Sequence, residues 1–361
     1  MRFLLAALAL PLFGLPAAVA TGTATATPQP ASGPAATGHH ALSWHRVDVA
    51  TDQQFRGLDA LDARHAWVGG SDGGVWKTSN GGRTWQDVSP PDTTGLLFRD
   101  VEATDRRHVQ VLAIGENDAS RIYRTRNGGR TWQLTFVNDD PAAFYDCMAM
   151  WPGGRHGLAM SDPVDGKFRI IATHDSGATW QVVDPSGMPD AVPGEFGFAA
   201  SGTCLVTAGH RDAFLASGGA AARIFHTTNR GRTWSVADST IPASDAGGVF
   251  SLALRNPRQG IAVGGDFLVP DNGVDMSAFT RSAGHRWHNG GDLGGYRSGV
   301  AWLPGTRRGA VAVGPTGTDV TYNGGRSWRT FSDLDFDAVQ CTRSGACWAS
   351  GPAGAVARLV R

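Results

Sequence analysis

The stretch Thr78-Ser79-Asn80-Gly81-Gly82-Arg83-Thr84-Trp85 recurs with few changes at five later places in the chain. The copies occupy positions 125–132, 173–180, 227–234, 280–287 and 321–328. Glycine stands three residues before every tryptophan, and Asn or Asp stands five residues before it, except at Ser282. A repeat with a period of about 40 to 50 residues decides the whole fold, because each copy is one supersecondary unit.

Each copy has the chemistry of a hairpin turn. The Asn or Asp side chain accepts bonds from nearby backbone N–H groups, and the glycine takes a positive φ that other residues avoid. The tryptophan then begins the outgoing strand and supplies an apolar plate between neighbouring sheets. We therefore assign structural roles to the following residues: Asn80, Trp85, Asn127, Trp132, Asp175, Trp180, Asn229, Trp234, Asn323 and Trp328.

Each repeat contains four short segments with the pattern of β-strands. Segments a, b and c precede the turn, and segment d follows it. Successive tryptophans are 47, 48, 54, 53 and 41 residues apart, which suits a four-stranded blade. Strands a are predicted at 55–61, 97–103, 144–150, 196–201, 249–254, 297–302 and 336–341. The last unit lacks a strand d, and the segment from Ser43 to Val49 has that shape but no blade before it. Pairing the two closes a seven-bladed, all-β propeller of four-stranded antiparallel blades.

The chain after residue 43 resembles the BNR or Asp-box propellers, and most closely the photosystem II stability/assembly factor family. The resemblance rests on Phe55-Arg56-Gly57-Leu58, Trp67-Val68-Gly69-Gly70 and the repeated turns. It implies an exported, non-enzymatic, chaperone-like scaffold for partner proteins. It also implies that the repeated turns lie opposite the ligand-binding face.

The amino terminus predicts export. Residues 1–20 have Arg2, an apolar run and a small-residue cleavage site at Ala18-Val19-Ala20, as in a signal peptide. Residues 21–42 are rich in Ala, Thr and Pro and predict a flexible linker before the propeller domain at 43–361. We expect a periplasmic or secreted monomer. No membrane span is predicted, because no segment approaches about 18 uninterrupted apolar residues.

Charge and cysteine content limit the function classes further. Lys plus Arg and Asp plus Glu number 32 each, which argues against a general nucleic-acid or anionic-membrane binder. No cofactor fingerprint is present. Four cysteines in an exported chain favour disulfides. Cys341 and Cys347 bracket a short turn, and Cys147 and Cys204 would then pair, although four cysteines permit three connectivities.

One end of the central channel is the predicted binding site. Arg56, Arg99 and Arg297 each directly follow the first aromatic residue of a strand a, and Tyr145 holds the corresponding place in a fourth. Three converging guanidinium groups would bind a carboxylate through bidentate bonds. The alternative is that each arginine pairs with an acid of a neighbouring blade, such as Asp59, Asp100 or Asp337.

Long b–c loops are expected on the same face, where binding sites on rigid scaffolds usually lie. Their candidate binding residues are Glu116, Asp118, Asp162, Asp165, His210, Arg211 and Asp266. Asp162 with Asp165, or Asp271 with Asp275, would be possible calcium ligands, but their spacing matches no complete motif, so no metal is predicted.

The sequence therefore predicts a scaffold with no catalytic residue that holds a protein partner, an anionic small molecule or a glycan. The alternative is a glycoside hydrolase, because sialidases share the repeated turn and an arginine after Phe in the first blade. Arg56-Gly57-Leu58 departs from their Arg-Ile-Pro, and the last blade lacks their tyrosine. The candidate carboxylates for such an enzyme are Glu116, Asp162 and Asp266.

Overall fold

Seven four-stranded antiparallel blades form a closed ring in the computed structural model, which describes residues 42–360. The predicted seven-bladed propeller is confirmed, and so is its closure: strand β1 (Ser43–Arg46) pairs with β30 (Val356–Val360) at the carboxyl end. The predicted signal peptide and all of the predicted linker except Leu42 lie outside the described residues. Within 42–360, no helix is long and apolar enough to cross a membrane.

The strands of blades 1 to 3, in the order a to d, are β2 (Phe55–Ala60), β3 (Ala66–Gly70), β4 (Val75–Thr78) and β5 (Gln86–Asp87); β6 (Leu97–Ala103), β7 (Val109–Ile114), β8 (Arg121–Thr125) and β9 (Gln133–Val137); and β10 (Tyr145–Met150), β11 (Gly157–Val164), β12 (Lys167–Thr173) and β13 (Gln181–Val182). Short 3-10 helices lie at Asn117–Ala119 and Pro185–Gly187.

The strands of blades 4 to 7 are β15 (Leu205–Ala208), β16 (Asp212–Ala216), β18 (Arg223–Thr227) and β19 (Ser235–Asp238); β20 (Gly247–Asn256), β21 (Gln259–Asp266), β22 (Ser277–Thr280) and β23 (His288–Gly291); β24 (Gly299–Trp302), β25 (Ala310–Gly314), β26 (Gly317–Thr321) and β27 (Arg329–Ser332); and β28 (Ala338–Cys341), β29 (Cys347–Ser350), β30 and β1. Two short strands, β14 (Glu195–Phe196) and β17 (Gly218–Gly219), extend the blade 5 sheet to six strands.

Strand a of blade 4 differs from the prediction. The structure has it at Leu205–Ala208, whereas the sequence suggested 196–201. Phe196 instead belongs to β14, which pairs with β17, and residues 197–204 form no strand. Because the strand moves, the predicted b–c loop residues His210 and Arg211 lie in the a–b turn of blade 4, at the opposite end of the blade.

The repeated turns are closed by their own side chains, as predicted. In blade 2, Asn127 Oδ1 accepts from Thr131 N at 3.0 Å, and Thr125 Oγ1 accepts from Gly129 N at 2.9 Å. Gly128 and Gly129 have positive φ, and a Cβ on Gly129 would lie 2.7 Å from Val88. These bonds satisfy backbone groups that a strand ladder cannot reach.

Each repeated turn also hydrogen-bonds to the a–b turn of its own blade, for example Gly128 N to Arg107 O at 3.0 Å. The a–b and c–d turns therefore share one face of the ring, which we call the turn face. The b–c loops and the connections between blades share the other, which we call the loop face. The tryptophans pack between blades: the Trp132 ring meets Trp67 of blade 1 edge-on at 6.5 Å, and its Nε1 donates to Val88 O.

Two disulfides join the cysteines in the pairing that the short turn suggested. Cys341 and Cys347 face each other across the hairpin of β28 and β29. Cys147 of β10 is joined to Cys204, which lies just before β15, so this bond links blade 3 to blade 4.

Replacing Asn127 by Ala should destabilise the protein by about 1–2 kcal/mol, because the Thr131 N–H loses its acceptor. Asn127→Asp is the matched control, since Asp175 makes the same backbone bond in blade 3. The midpoint of urea unfolding measures both variants. Equal midpoints for Asn127→Ala and the wild type would contradict a stabilising role for the turn.

Candidate functional site

The two faces of the ring carry opposite charge. Among the described residues, the a–b turns contain nine arginines and the c–d turns eight, against three acids, Asp62, Asp105 and Asp175. On the loop face, the segments that link strands contain eighteen Asp or Glu residues and one arginine, Arg297. The net charge of zero is therefore the sum over two oppositely charged faces, and it describes neither face alone.

The three predicted arginines do not converge. The side chain of Arg297 is fully buried and donates from Nε to Asp319 Oδ2 at 2.8 Å and from Nη1 to Thr316 Oγ1 at 2.7 Å. Asp319 and Thr316 belong to blade 6, so Arg297 braces its own blade from inside. The prediction that it lines the channel mouth was wrong.

Arg56 and Arg99 lie together at the loop-face end of the channel. Arg56 Nη2 lies 3.3 Å from Asp337 Oδ1, as the neighbouring-blade alternative predicted. The pKa of Arg99 falls to about 9, because it is buried and because Arg56 is close. Gln54 Nε2 donates to the second oxygen of Asp337 at 2.7 Å. Asp337 thus pairs with Arg56 and is already bonded to Gln54, whereas it acts on Arg99 only through its charge.

A β-bulge in strand a decides which side chain reaches the channel. The pairing register shifts between Phe55 and Gly57 in blade 1 and between Phe98 and Asp100 in blade 2, so Arg56 and Arg99 sit on the bulges. Bulges turn a side chain away from the regular alternation.

In blade 3 the register shift falls between Tyr145 and Cys147, so Asp146 is the equivalent of Arg56. Tyr145 instead corresponds to the buried Phe55 and packs edge-on against Phe136 at 5.0 Å. The sequence analysis therefore placed the channel-facing residue of blade 3 one position too early, at Tyr145 instead of Asp146.

The channel is filled by the chain itself. The segment 197–204, which we call the plug, contacts strands a of three blades. Arg99 Nη1 of blade 2 donates to Ala199 O at 3.4 Å, and Thr203 Oγ1 lies 2.6 Å from Ser251 Oγ of blade 5. Ser201 Oγ donates to Ser298 O at the start of blade 6. The plug thus occupies the space that a ligand would otherwise enter.

Gly202 shows how tightly the plug fits. Its φ is +74°, and a Cβ would lie 2.6 Å from Asp100 Oδ1. Only glycine combines this conformation with so close an approach. Above it, Phe198 stacks on Phe250 with ring centroids 3.9 Å apart, and Tyr296 and Phe267 complete an aromatic cap.

The predicted loop residues occupy separate places around the ring. Glu116 and Asp118 are exposed, and Asp118 pairs with Arg121. Asp162 Oδ1 accepts from Gly197 N at 2.8 Å, which holds the start of the plug. Asp165 occupies the tip of the hairpin between β11 and β12 with φ +51°.

Asp266 supports the base of the blade 5 loop. Its carboxylate accepts from Ser244 Oγ at 2.6 Å and from Leu268 N at 2.8 Å. Asp162 and Asp266 therefore both bond to backbone. Among the residues described, no three His, Cys, Asp or Glu side chains are grouped so as to hold a metal ion.

The sequence analysis did not predict a group of exposed aliphatic side chains on the loop face. In the b–c loop of blade 5, residues 267–276, three side chains project into solvent: Leu268 is 67% exposed, Val269 54% and Val274 58%. We call these three residues the apolar tip. The signal was present in the sequence as Phe267-Leu268-Val269 inside a long loop, where polar residues are the rule.

The loop that carries the apolar tip is well anchored. Phe267 packs in the aromatic cap, and the connection to blade 6 donates from Leu293 N to Gly273 O at 2.9 Å and from Tyr296 N to Pro270 O at 2.8 Å. Carboxylates of Asp271, Asp275 and Asp292 belong to the same two segments. The loop face thus presents an apolar projection within an acidic surface.

Buried carboxyl groups on strands a link one blade to the next. Asp59 accepts from Ala103 N, Asp100 from Met148 N and Glu102 from Met150 N. Burial raises the pKa of Asp59 to about 6 and raises the pKa values of Asp100, Glu102 and Asp146 well above the usual range. Asp59 and Asp100 therefore bond to the neighbouring backbone rather than to the predicted arginines.

No protein-family model and no curated protein sequence matches this chain. Solved structures do. YCF48 bound to a D1 peptide has a TM-score of 0.60 at 15% identity, covering 88% of this chain and 97% of that one. YCF48 from Cyanidioschyzon merolae has a TM-score of 0.57 at 14% identity, covering 87% and 98%.

A GH74 xyloglucanase from Xanthomonas campestris is also similar, with a TM-score of 0.60 at 15% identity. The match covers 88% of this chain but 53% of the enzyme, so this chain spans about half of that protein. At these identities the likeness establishes the fold: the chain is a propeller of the kind seen in YCF48 and in GH74 enzymes.

The protein should become less stable as the pH rises from about 4 to 8. A carboxyl group whose pKa is higher in the folded state than in the unfolded state binds protons more tightly when the protein is folded. Its contribution to stability is therefore complete below the unfolded-state pKa and is lost as the pH rises through the folded-state pKa. For Asp59, a change from 3.8 to about 6 corresponds to about 3 kcal/mol.

Thermal unfolding across this pH range measures the effect. Asp100→Asn should flatten the pH dependence, because the amide oxygen still accepts from Met148 N and no charge forms. The exposed Asp92→Asn is the control and should leave the slope unchanged. A stability that increases with pH would refute the assignment.

Proposed function

We propose that this chain is an exported, non-enzymatic binding scaffold whose loop face holds a protein partner. The observation that carries the proposal is the apolar tip, three exposed aliphatic side chains on an anchored loop within an acidic surface. A partner that covers them removes apolar area from water, at about 25 cal/mol per Å².

The anchoring of the loop favours tight binding. Two backbone bonds from the neighbouring connection and the packing of Phe267 already fix its conformation. A preformed loop loses less conformational entropy on association than a mobile one, so more of the burial energy appears as affinity.

The charge of the loop face indicates the chemistry of the partner. Five of the eighteen acids in its linking segments form ion pairs with cations at strand ends, and the other acids let this face attract a segment with Lys or Arg around an apolar core. Such complementarity accelerates encounter and excludes acidic partners. It disfavours the anionic ligand that the sequence suggested for this face.

Two further observations support the proposal. YCF48, a propeller of the same fold, has been solved with a peptide bound. Two disulfides, which persist in oxidising compartments, agree with the export expected from residues 1–20.

Features of the loop face also favour a scaffold over a glycoside hydrolase. The plug fills the channel, and two of the three candidate carboxylates, Asp162 and Asp266, bond to backbone N–H groups. A hydrolase needs an open cleft with two carboxyl groups about 5 to 9.5 Å apart across the sugar bond.

Replacing Leu268 and Val269 by Ser should weaken partner binding at least tenfold. The variant buries less apolar area on binding, and a loss of about 1.4 kcal/mol of binding free energy corresponds to a tenfold lower affinity. The measurement is recovery of partners from an extract of exported proteins on immobilised protein, followed by titration of the purified partner. Val182→Ser is the matched control, since Val182 is equally exposed, at 59%, on the outer strand β13. Unchanged affinity in the Leu268 and Val269 variant would sink the loop-face proposal.

A panel of glycans incubated with the purified protein should show no turnover. Glu116→Gln and Asp162→Asn serve as controls for any residual rate. Turnover by the wild type that disappears in either variant would overturn the non-enzymatic assignment.

A further inference from the structure

The turn face contains a cleft between blades 5 and 6. Its volume is about 300 Å³, and four arginines, Arg255, Arg281, Arg307 and Arg308, line it together with Trp302. A second hollow of about 320 Å³ shares Arg307 and Arg308 and is bounded by Tyr322. We call this pair of hollows the arginine cleft. Among residues 42–360, neither hollow is lined by an acidic side chain.

The positive charges of the cleft are not neutralised. In the described part of the chain, Arg281, Arg307 and Arg308 make no ion pair and no side-chain hydrogen bond, whereas eight other Arg or Lys side chains have acidic partners. Arg281 is exposed, and its pKa is lowered by loss of hydration and by the neighbouring positive charges of Arg326 and Arg308. Mutual repulsion of this kind is relieved when an anion binds.

Other contacts hold the cleft walls in position. Arg255 donates to Thr306 O at 2.7 Å and lies over the Trp302 ring at 5.4 Å, so it joins the two blades. Arg326 lies over the Phe279 ring at 5.6 Å. Because Arg255 is fixed on an aromatic ring, this cleft arginine loses little freedom when a ligand arrives.

We propose that the arginine cleft binds the phosphate group of a phosphate ester. A phosphate carries a charge near −2 and three acceptor oxygens, whereas a carboxylate has one charge and two oxygens. Guanidinium groups bind phosphate through paired N–H bonds, and several of them can surround one tetrahedral anion. A volume of about 300 Å³ suits a small anionic group.

This inference is independent of the proposed function, because the cleft lies on the face opposite the apolar tip. The remaining arginines of the turn face supply a positive field that attracts anions toward the cleft. The phosphate would come from a soluble ester or from a group displayed on a lipid headgroup, and these two sources share the same recognition chemistry.

Titration calorimetry with pyrophosphate tests the site at low salt. The wild type should bind, and Arg307→Gln with Arg308→Gln should weaken binding at least tenfold. The matched control is Arg106→Gln with Arg107→Gln, an adjacent pair in the a–b turn of blade 2 that changes the net charge equally. It should weaken binding less than about threefold, because only the distant field changes.

Three outcomes would overturn the proposal: no binding of pyrophosphate, equal weakening by the two double variants, or equal affinity for citrate, which would indicate a carboxylate site. Circular dichroism of both variants checks that they remain folded. Sedimentation with phosphatidic acid vesicles separates the sources. Cleft-dependent binding to vesicles supports a headgroup ligand, and cleft-dependent binding of pyrophosphate alone supports a soluble ester.

Discussion

The a–b and c–d turns lie at the same end of each antiparallel blade, and a backbone hydrogen bond joins them in blades 1 to 6. Gly128 N bonds to Arg107 O in blade 2, and Gly324 N bonds to Arg308 O in blade 6. The antiparallel order of strands a to d places both turns of blades 1 to 6 at the same end, and blade 7 presents its a–b turn there, since its strands c and d are β30 and β1. All seven blades then share one direction around the ring, so any residue type common in these turns accumulates on one face. Arginine is such a residue, and acids accumulate in the loops at the other end.

A neutral sequence has therefore produced a molecule with two charged faces. Net charge governs behaviour at distances where both faces act together, but a partner in contact experiences only one of them. The acidic face surrounds an anchored apolar loop, and the basic face surrounds a cleft with unpaired guanidinium groups. The two faces suit ligands of opposite sign, and a ligand on one leaves the other open.

The fold was predictable because the Trp-containing turn repeats with its glycine and its Asn or Asp in register, and because the spare strand at Ser43 matched the missing one. The error in blade 4 arose where the repeat is longest, 54 residues from Trp180 to Trp234. There Phe196-Gly197-Phe198 imitates the start of a strand a, but it belongs to an insertion that runs into the channel. The site was harder to predict, since β-bulges decide which side chain faces the channel. Thus Asp146, not Tyr145, is equivalent to Arg56, and Arg297 turns into its own blade.

The plug explains why the functional surfaces are the two faces and not the channel between them. Propellers commonly offer ligands a central channel, but here residues 197–204 bond to blades 2 and 5 and to the start of blade 6, and the disulfide from Cys204 to Cys147 holds their carboxyl end against blade 3. Gly202 leaves no room beside Asp100 for movement or for a larger residue. A filled channel also supports the aromatic cap from below, and that cap anchors the loop with the apolar tip. The insertion that misled the assignment of blade 4 is thus the element that closes one binding site and supports another.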